Sequence, residues 1–328
     1  MSEVRAKKAL GQHFLVDLNI ARKICDALSG GERPGAGAET RANAAGYAGA
    51  GAETLTKATG TADADAETRR SVAASADARL AADTTAAGAP AAAEEERSGA
   101  VPCDVLEVGC GMGVLTQYLL RRGDITTYGA EIDPESVGYL HAHFPEFAPR
   151  LIEGDFLKMN LRERFPRGLK IIGNFPYNIS SQIFFKVLEH RDLVPECVGM
   201  IQKEVAVRIA EPPGSKEYGI LSVLLQAWYD IEYLFTVNET VFNPPPKVKS
   251  AVIRLRRNGV GRLGCDEALF VKVVKASFGQ RRKMIRNSLR AVFGDFGGAE
   301  HSFFTQRAEQ LSVADFVQLT DWVAANRK

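Results

Sequence analysis

The 328 residues include only two tryptophans, five histidines and five cysteines, and each scarcity excludes something. Cys25, Cys103, Cys110, Cys197 and Cys265 are scattered, with no paired metal-ligand spacing, so free thiols in a reduced compartment are expected and no metal site is. The few histidines do not cluster with them. No apolar run approaches the roughly 18–20 residues that cross a bilayer, so no membrane partner is expected. Met1 to Leu10 is basic but is followed by no long hydrophobic core and no small-residue cleavage site. A secretory signal is therefore not expected, and a cytoplasmic location is. Hydrophobic and charged fractions of 45% and 25% are ordinary. The length suits two domains, or one large domain with an appendage.

A net charge of +1 conceals an uneven distribution. Residues 247–290 carry 13 Lys+Arg against two Asp+Glu, a local net of +11. Such density points to a polyanionic partner, or else to a well-solvated basic helix face. Residues 31–100 are the opposite: net −4, with 25 Ala, nine Gly and a single aromatic, Tyr47. The hexapeptide Gly-Ala-Gly-Ala-Glu-Thr occurs there twice, at 35–40 and 49–54. So little apolar bulk cannot offset the entropy of ordering, and a disordered or loosely helical insert is expected, with at most a transient helix over 64–82.

Elsewhere the pattern alternates. Ile20, Ile24 and Leu28 recur four apart in a helix expected over 18–28. Strands are expected over 104–108, 126–132, 150–154, 169–174 and 197–202. Helices between them include one from Gly113 to Arg122 and one from Ser180 to His190. This is an α/β pattern with a mostly parallel sheet covered on both faces. Segments 230–237 and 250–255 read as an antiparallel pair at one edge, and from Glu267 onward only helical periodicity remains.

In an open parallel sheet, ligands bind beyond the carboxyl ends of the strands. Four successive ends carry ligand-type residues here. Gly109, Gly111 and Gly113 follow Glu107, and glycines at alternate positions admit a close backbone approach. Glu131, 22 residues beyond Gly109, is placed to accept ribose hydroxyls, and Asp155 to accept an adenine amino group. Either carboxylate alone reads more readily as strand-end solvation or a helix cap; four successive strand ends with ligand-type residues favour a cofactor. The spacing departs from Gly-x-Gly-x-x-Gly of nicotinamide enzymes and favours S-adenosylmethionine.

The fourth end is Asn174-Phe175-Pro176-Tyr177. The Asn carboxamide and the Phe175 carbonyl can accept two hydrogen bonds from one NH2 group, Pro176 fixes the turn, and Tyr177 offers a flat face for a base. In isolation the tetrapeptide reads as a strand-ending turn. Beside a methyl donor it reads as an amino-group methylation site.

These residues resemble the KsgA/RsmA family of small-subunit ribosomal RNA adenine dimethyltransferases. The match runs through 7–15 (Lys-Lys-Ala-Leu-Gly-Gln-His-Phe-Leu), Gly113-Val114-Leu115-Thr116, Gly154-Asp155 and 173–180. It continues through 202–206, 242–248, and 278–283 with Asn287. The resemblance covers essentially everything except 31–100. It implies a Rossmann-like class I methyltransferase sheet with a small C-terminal α-helical domain, divided as 1–30 (N-terminal segment and first helix), 31–100 (insert), 101–258 (catalytic domain) and 259–328 (helical RNA-binding domain). It implies dimethylation of the N6 amino groups of two adjacent adenosines near the 3′ end of 16S rRNA, within the small subunit or its precursor, by a monomer without a metal.

The resemblance also adds His13 and Leu15 to the cofactor pocket. Lys247, Lys249, Arg281, Arg282, Lys283 and Arg286 are then expected to hold RNA, the last four sharing one helical face. Two departures stand out: Cys110 where Pro is common, and Phe175 where Leu is. A 23S rRNA adenine methyltransferase of the resistance type shares the fold and the tetrapeptide logic. The Pro244-Pro245-Pro246 segment and the Arg281-Arg282-Lys283 run favour the small-subunit enzyme. A noncatalytic assembly factor is the other alternative, and the intact Glu131, Asp155, Asn174 and Tyr177 argue against it.

Overall fold

The structure, a computed structural model, describes residues 4–7, 10–30 and 102–327. The insert expected over 31–100 lies outside the described residues. The chain runs β1 (Phe14–Leu15), α1 (Leu18–Asp26), β2 (Cys103–Val108), α2 (Thr116–Leu119), β3 (Ile125–Glu131), α3 (Pro134–His143), β4 (Leu151–Glu153), α4 (Leu161–Arg164) and β5 (Lys170–Asn174). It continues α5 (Ser180–Glu189), β6 (Glu196–Gln202), α6 (Lys203–Ala210), α7 (Ile220–Gln226), β7 (Tyr229–Val237), β8 (Phe242–Asn243) and β9 (Ser250–Arg257). Three longer helices close it: α8 (Glu267–Gly279), α9 (Ile285–Phe293) and α10 (Val313–Asn326).

Seven strands form one sheet in the order β4-β3-β2-β5-β6-β9-β7. The first five are parallel; β9 pairs antiparallel with both β6 and β7. The antiparallel edge pair read from the sequence is present, with β9 inside and β7 outermost. Strand order reverses between β2 and β5, which opens a crevice at their carboxyl ends.

Because side chains alternate along a strand, the central strands feed two cores. Leu106, Ile171, Cys197 and Leu255 face one core with Ile183, Phe184 and the α7 leucines. Val105, Ile172, Val198 and Val252 face the other, with Ile24 of α1 and Leu119 of α2. The first core continues without a break into the C-terminal helices through Phe270, Val274, Leu289 and Phe316. Trp228 and Phe270 meet edge to face at 6.0 Å, and Arg191 lies 4.5 Å over the Trp228 ring while bonding Glu267 at 2.5 Å.

Two expectations are corrected. The helix expected from Gly113 to Arg122 is only one turn, Thr116–Leu119, because the glycine-bearing segment ahead of it forms a string of turns. Arg281, Arg282 and Lys283 do not share a helical face with Arg286. They lie in the turn between α8 and α9, since α8 ends at Gly279 and α9 begins at Ile285. Four cations in six residues match helical spacing, but a chain reversal is needed there for α9 to pack back onto α8.

At the foot of the sheet, Lys170 bonds the carbonyls of Ser29 and Gly30 at 3.1 and 2.9 Å and pairs with buried Glu196 at 3.3 Å. The end of α1 is thereby fixed where the described N-terminal segment stops. Among the described residues no helix is long and apolar enough to cross a membrane.

The Phe175 ring is fully buried, edge to face with Phe184 at 5.8 Å. Strand β6 passes so closely that a Cβ on Gly199 would stand 2.9 Å from Phe175 Cδ2 and nearer still to Cε2. A smaller ring neighbour would relieve that overlap. Gly199→Ala is therefore expected to lose about 1–3 kcal/mol of stability through overpacking. Phe175→Leu added to it should recover part of the loss, read from urea-denaturation midpoints at constant slope.

Candidate active site

The carboxyl ends of β2, β3, β4 and β5 converge on one cavity of about 210 Å³. His13, Leu15, Gly109, Gly111, Glu131, Asp155, Asn174, Phe175, Pro176 and Tyr177 all line it. Lys247, Lys249, Arg281, Arg282, Lys283 and Arg286 do not.

The glycine turn after β2 is built for close approach. Gly109 and Gly111 have φ of +76° and +53°, a region open chiefly to glycine. A Cβ on Gly111 would stand 3.1 Å from the Phe14 ring, so this turn is a cradle that a side chain would fill. The Gly111 N–H donates to Glu131 Oε2 at 2.8 Å, while the N–H groups of Ile132 and Asp133 donate to Oε1, each at 2.9 Å. Burial pushes the Glu131 carboxyl up, and those three donors oppose the shift. A carboxylate offers about four acceptor sites, so Oε2 retains capacity for a ligand hydroxyl. Asp155 caps its own turn through Leu157 N–H, which donates to Oδ1 at 2.9 Å. The capping and ligand readings of this residue are compatible, because its second oxygen is not used by the cap.

Asn174 is held in one orientation. Its Nδ2 donates to the His13 carbonyl at 2.9 Å. A carbonyl can only accept, so the amide nitrogen must face His13 and Oδ1 is left as the acceptor toward the cavity. Phe175, with its ring in the core, presents only backbone here. Tyr177 Oη and Ser250 Oγ are 2.5 Å apart, and the Tyr177 and His13 rings lie 5.3 Å apart, inclined by 30°. His13 Nδ1 in turn meets the Pro244 carbonyl at 2.8 Å.

The segment bearing His13 crosses the cavity as a strap. One end pairs with β8, where Phe14 opposes Asn243. The other is fastened by Lys7, whose ammonium bonds buried Asp133 and stands 3.1 Å from Glu135. Burial works against the Asp133 anion, but Lys7, Ser136 and Gln12 hold its pKa below the ordinary value.

Two residues without an assigned role in the sequence reading belong to this site. Ser250 fixes the Tyr177 hydroxyl from β9, a contact no local pattern foretells. Glu107 lines the cavity, is almost completely buried, and accepts from Thr116 Oγ1 at 2.6 Å. Its position two residues before Gly109, between the apolar Leu106 and Val108 of β2, was the available signal. Among the described residues no group of three or more His, Cys, Asp or Glu is placed to hold a metal.

The family model for ribosomal RNA adenine dimethylase matches residues 102–325. A ribosomal RNA small subunit methyltransferase A from Parabacteroides distasonis is 47% identical over 322 residues, 98% of this chain and 94% of that protein. The protein of the same name from Bacteroides thetaiotaomicron is 59% identical over 221 residues, covering 67% of this chain and 82% of its own. Among solved structures, a dimethyladenosine transferase from Plasmodium falciparum aligns with a TM-score of 0.57 and 25% identity, covering 68% of this chain and 90% of that one.

Burial pushes the Glu107 carboxyl up to about 8. A carboxyl raised on folding binds more protons folded than unfolded, so its contribution is full below the ordinary value of 4.5 and is lost as pH rises toward 8. Glu107→Gln keeps an acceptor for Thr116 without the charge. The variant should gain on the wild type between pH 5 and 8, by at most about 1.4 kcal/mol per pH unit. Thermal midpoints across that range measure it; parallel curves would contradict the assignment.

Proposed function

Since the chain belongs to the ribosomal RNA adenine dimethylase family, we propose that it dimethylates the N6 amino groups of two adjacent adenosines near the 3′ end of 16S rRNA, within the small subunit or its precursor, using S-adenosylmethionine. The observation that carries this reading is the locked Asn174 amide, whose oxygen is left to accept from a substrate amino group.

The residues present fit the methyl donor. The glycine cradle after β2 admits close backbone approach, Glu131 Oε2 is available to a ribose hydroxyl, and Asp155 to an adenine amino group. His13 and Leu15 close the pocket from the strap. The bound group supplies a methyl already activated on sulfonium. The protein's task is then to position and polarise the nucleophile.

Adenine's exocyclic nitrogen is weakly nucleophilic because its lone pair is delocalised into the ring. Accepting its two N–H bonds at Asn174 Oδ1 and the Phe175 carbonyl favours a pyramidal nitrogen and stabilises the positive charge that develops there. Tyr177, its hydroxyl held by Ser250, provides the stacking face for a base extruded from its RNA surroundings. After the first transfer one N–H remains, so the second round relies on a single acceptor and on room for the methyl group.

The basic segment divides by role. Arg254 pairs with Glu232 at 2.5 Å, Arg256 with Glu196 at 3.3 Å, and Arg257 donates to the Val260 carbonyl at 2.7 Å. Arg281 donates to the Lys216 and Tyr218 carbonyls, and Arg286 pairs with Glu300. Lys247, Lys249, Arg282 and Lys283 are exposed and suit phosphate contact, which positions RNA without reading its sequence.

Asn174→Ala should reduce turnover at least ~100-fold, the scale of a lost transition-state hydrogen bond, with RNA affinity nearly unchanged. In a deletion strain, primer extension should show the 16S modification lost, restored by the wild type and not by the variant. Wild-type turnover by the variant, or a loss confined to 23S rRNA, would overturn the reading. Replacing Lys247, Lys249, Arg282 and Lys283 by Ala should weaken RNA binding and lower its log–log salt slope by up to about 0.9 per phosphate contact removed. Arg281→Ala should instead mainly lower the melting temperature.

A further inference from the structure

Lys186 stands on α5 with its side chain turned inward and only 9% of its surface exposed. Among the described residues it forms no ion pair. Its ammonium donates to the Leu157 carbonyl at 2.9 Å and the Met159 carbonyl at 2.7 Å, and lies 5.6 Å from the centre of the Phe156 ring. Burial lowers its pKa, with Glu189 and Asp155 opposing. A leucine or methionine would fill this volume without the cost of desolvating a charge, so the placement calls for a reason beyond packing.

The two carbonyls identify that reason. They belong to the short 3-10 turn Phe156–Lys158 and the residue after it, and the end of such a turn leaves carbonyls without partners. Asp155 closes the start of the same turn by accepting from Leu157 N–H. The segment is thus held at its start by the Asp155 carboxylate and at its end by the Lys186 ammonium. Asp155, Phe156 and Leu157 all line the cavity, whereas Lys186 does not.

We infer that Lys186 is a positioning residue for the nucleobase end of the cofactor pocket: by tying down the turn after β4, it aims Asp155 at the adenine amino group. The inference rests on the assignment of Asp155 to adenine. Without the ammonium, the turn loses two charge-assisted hydrogen bonds, and the Asp155 carboxylate is left to its own contacts, the Leu157 N–H on Oδ1 and the exposed Lys158 ammonium 3.8 Å from Oδ2, on a turn no longer tied at its far end. The nucleophile side of the site, built on β5, is untouched.

The test uses the full-length protein and two ligands, S-adenosylhomocysteine and its analogue with purine in place of adenine, which lacks the 6-amino group. Calorimetry on the wild type should show a preference of about 10-fold or more for the adenine compound, the scale of one hydrogen bond to a charged acceptor. Lys186→Met keeps the apolar stem. It should bind the adenine compound about 5–10-fold more weakly and the purine compound nearly as well as the wild type, so that the preference collapses. Methyl transfer should show a raised KM for S-adenosylmethionine with kcat little changed. Lys186→Gln, which retains N–H donors, should fall between the two and serves if the Met variant does not fold. If both ligands weaken equally, or neither does, Lys186 has no positioning role. A wild type without adenine preference would refute the Asp155 assignment itself, and the inference with it.

Discussion

The hydrogen bond from Asn174 to the His13 carbonyl joins residues 161 positions apart, and it depends on two separate pieces of architecture. Parallel pairing of β5 with β2 carries Asn174 to the same sheet edge as the glycine turn. Pairing of β1 with β8, together with the Lys7–Asp133 contact, draws the N-terminal strap across that edge. Only when both hold does the amide face one way. The same strap brings Phe14 against Gly111 and His13 against Tyr177, so the proposed cofactor pocket and base platform are completed by a single segment.

Charge in this chain is divided between structure and binding in a way that its linear density conceals. Of the cations in 247–290, several arginines are engaged with carboxylates or carbonyls of the same fold. Arg254 also donates to the Ala27 carbonyl and thereby ties β9 to the end of α1. The proposed RNA surface is therefore smaller than the +11 of the segment implies. Buried carboxyls show the reverse economy: Glu107 and Glu131 stand in one cavity, the first favoured neutral by burial and the second supplied with three backbone donors.

The order of elements was legible because apolar strands and amphipathic helices differ in period, and every strand expected in the sheet is present within two residues. The candidate cofactor residues were legible because parallel strands must end on one edge, so polar residues at successive ends converge. The cations in 281–286 are not placed by their spacing, which cannot separate a helix from a turn that ends one helix and starts another. Ser250 and Lys186 escaped notice because each acts across the sheet or between a helix and a loop, through contacts that leave no periodic trace.

The sequence by itself determined the class of sheet, the four strand ends with their ligand-type side chains and the family. All of these are written in local pattern and in motifs short enough to be contiguous. Tertiary structure alone decided which way the Asn174 amide points, which arginines remain available to a polyanion, and how the turn after β4 is held. These are hydrogen-bond choices made between segments remote in the chain. They are settled only when burial leaves each polar group with the partners the fold has brought to it.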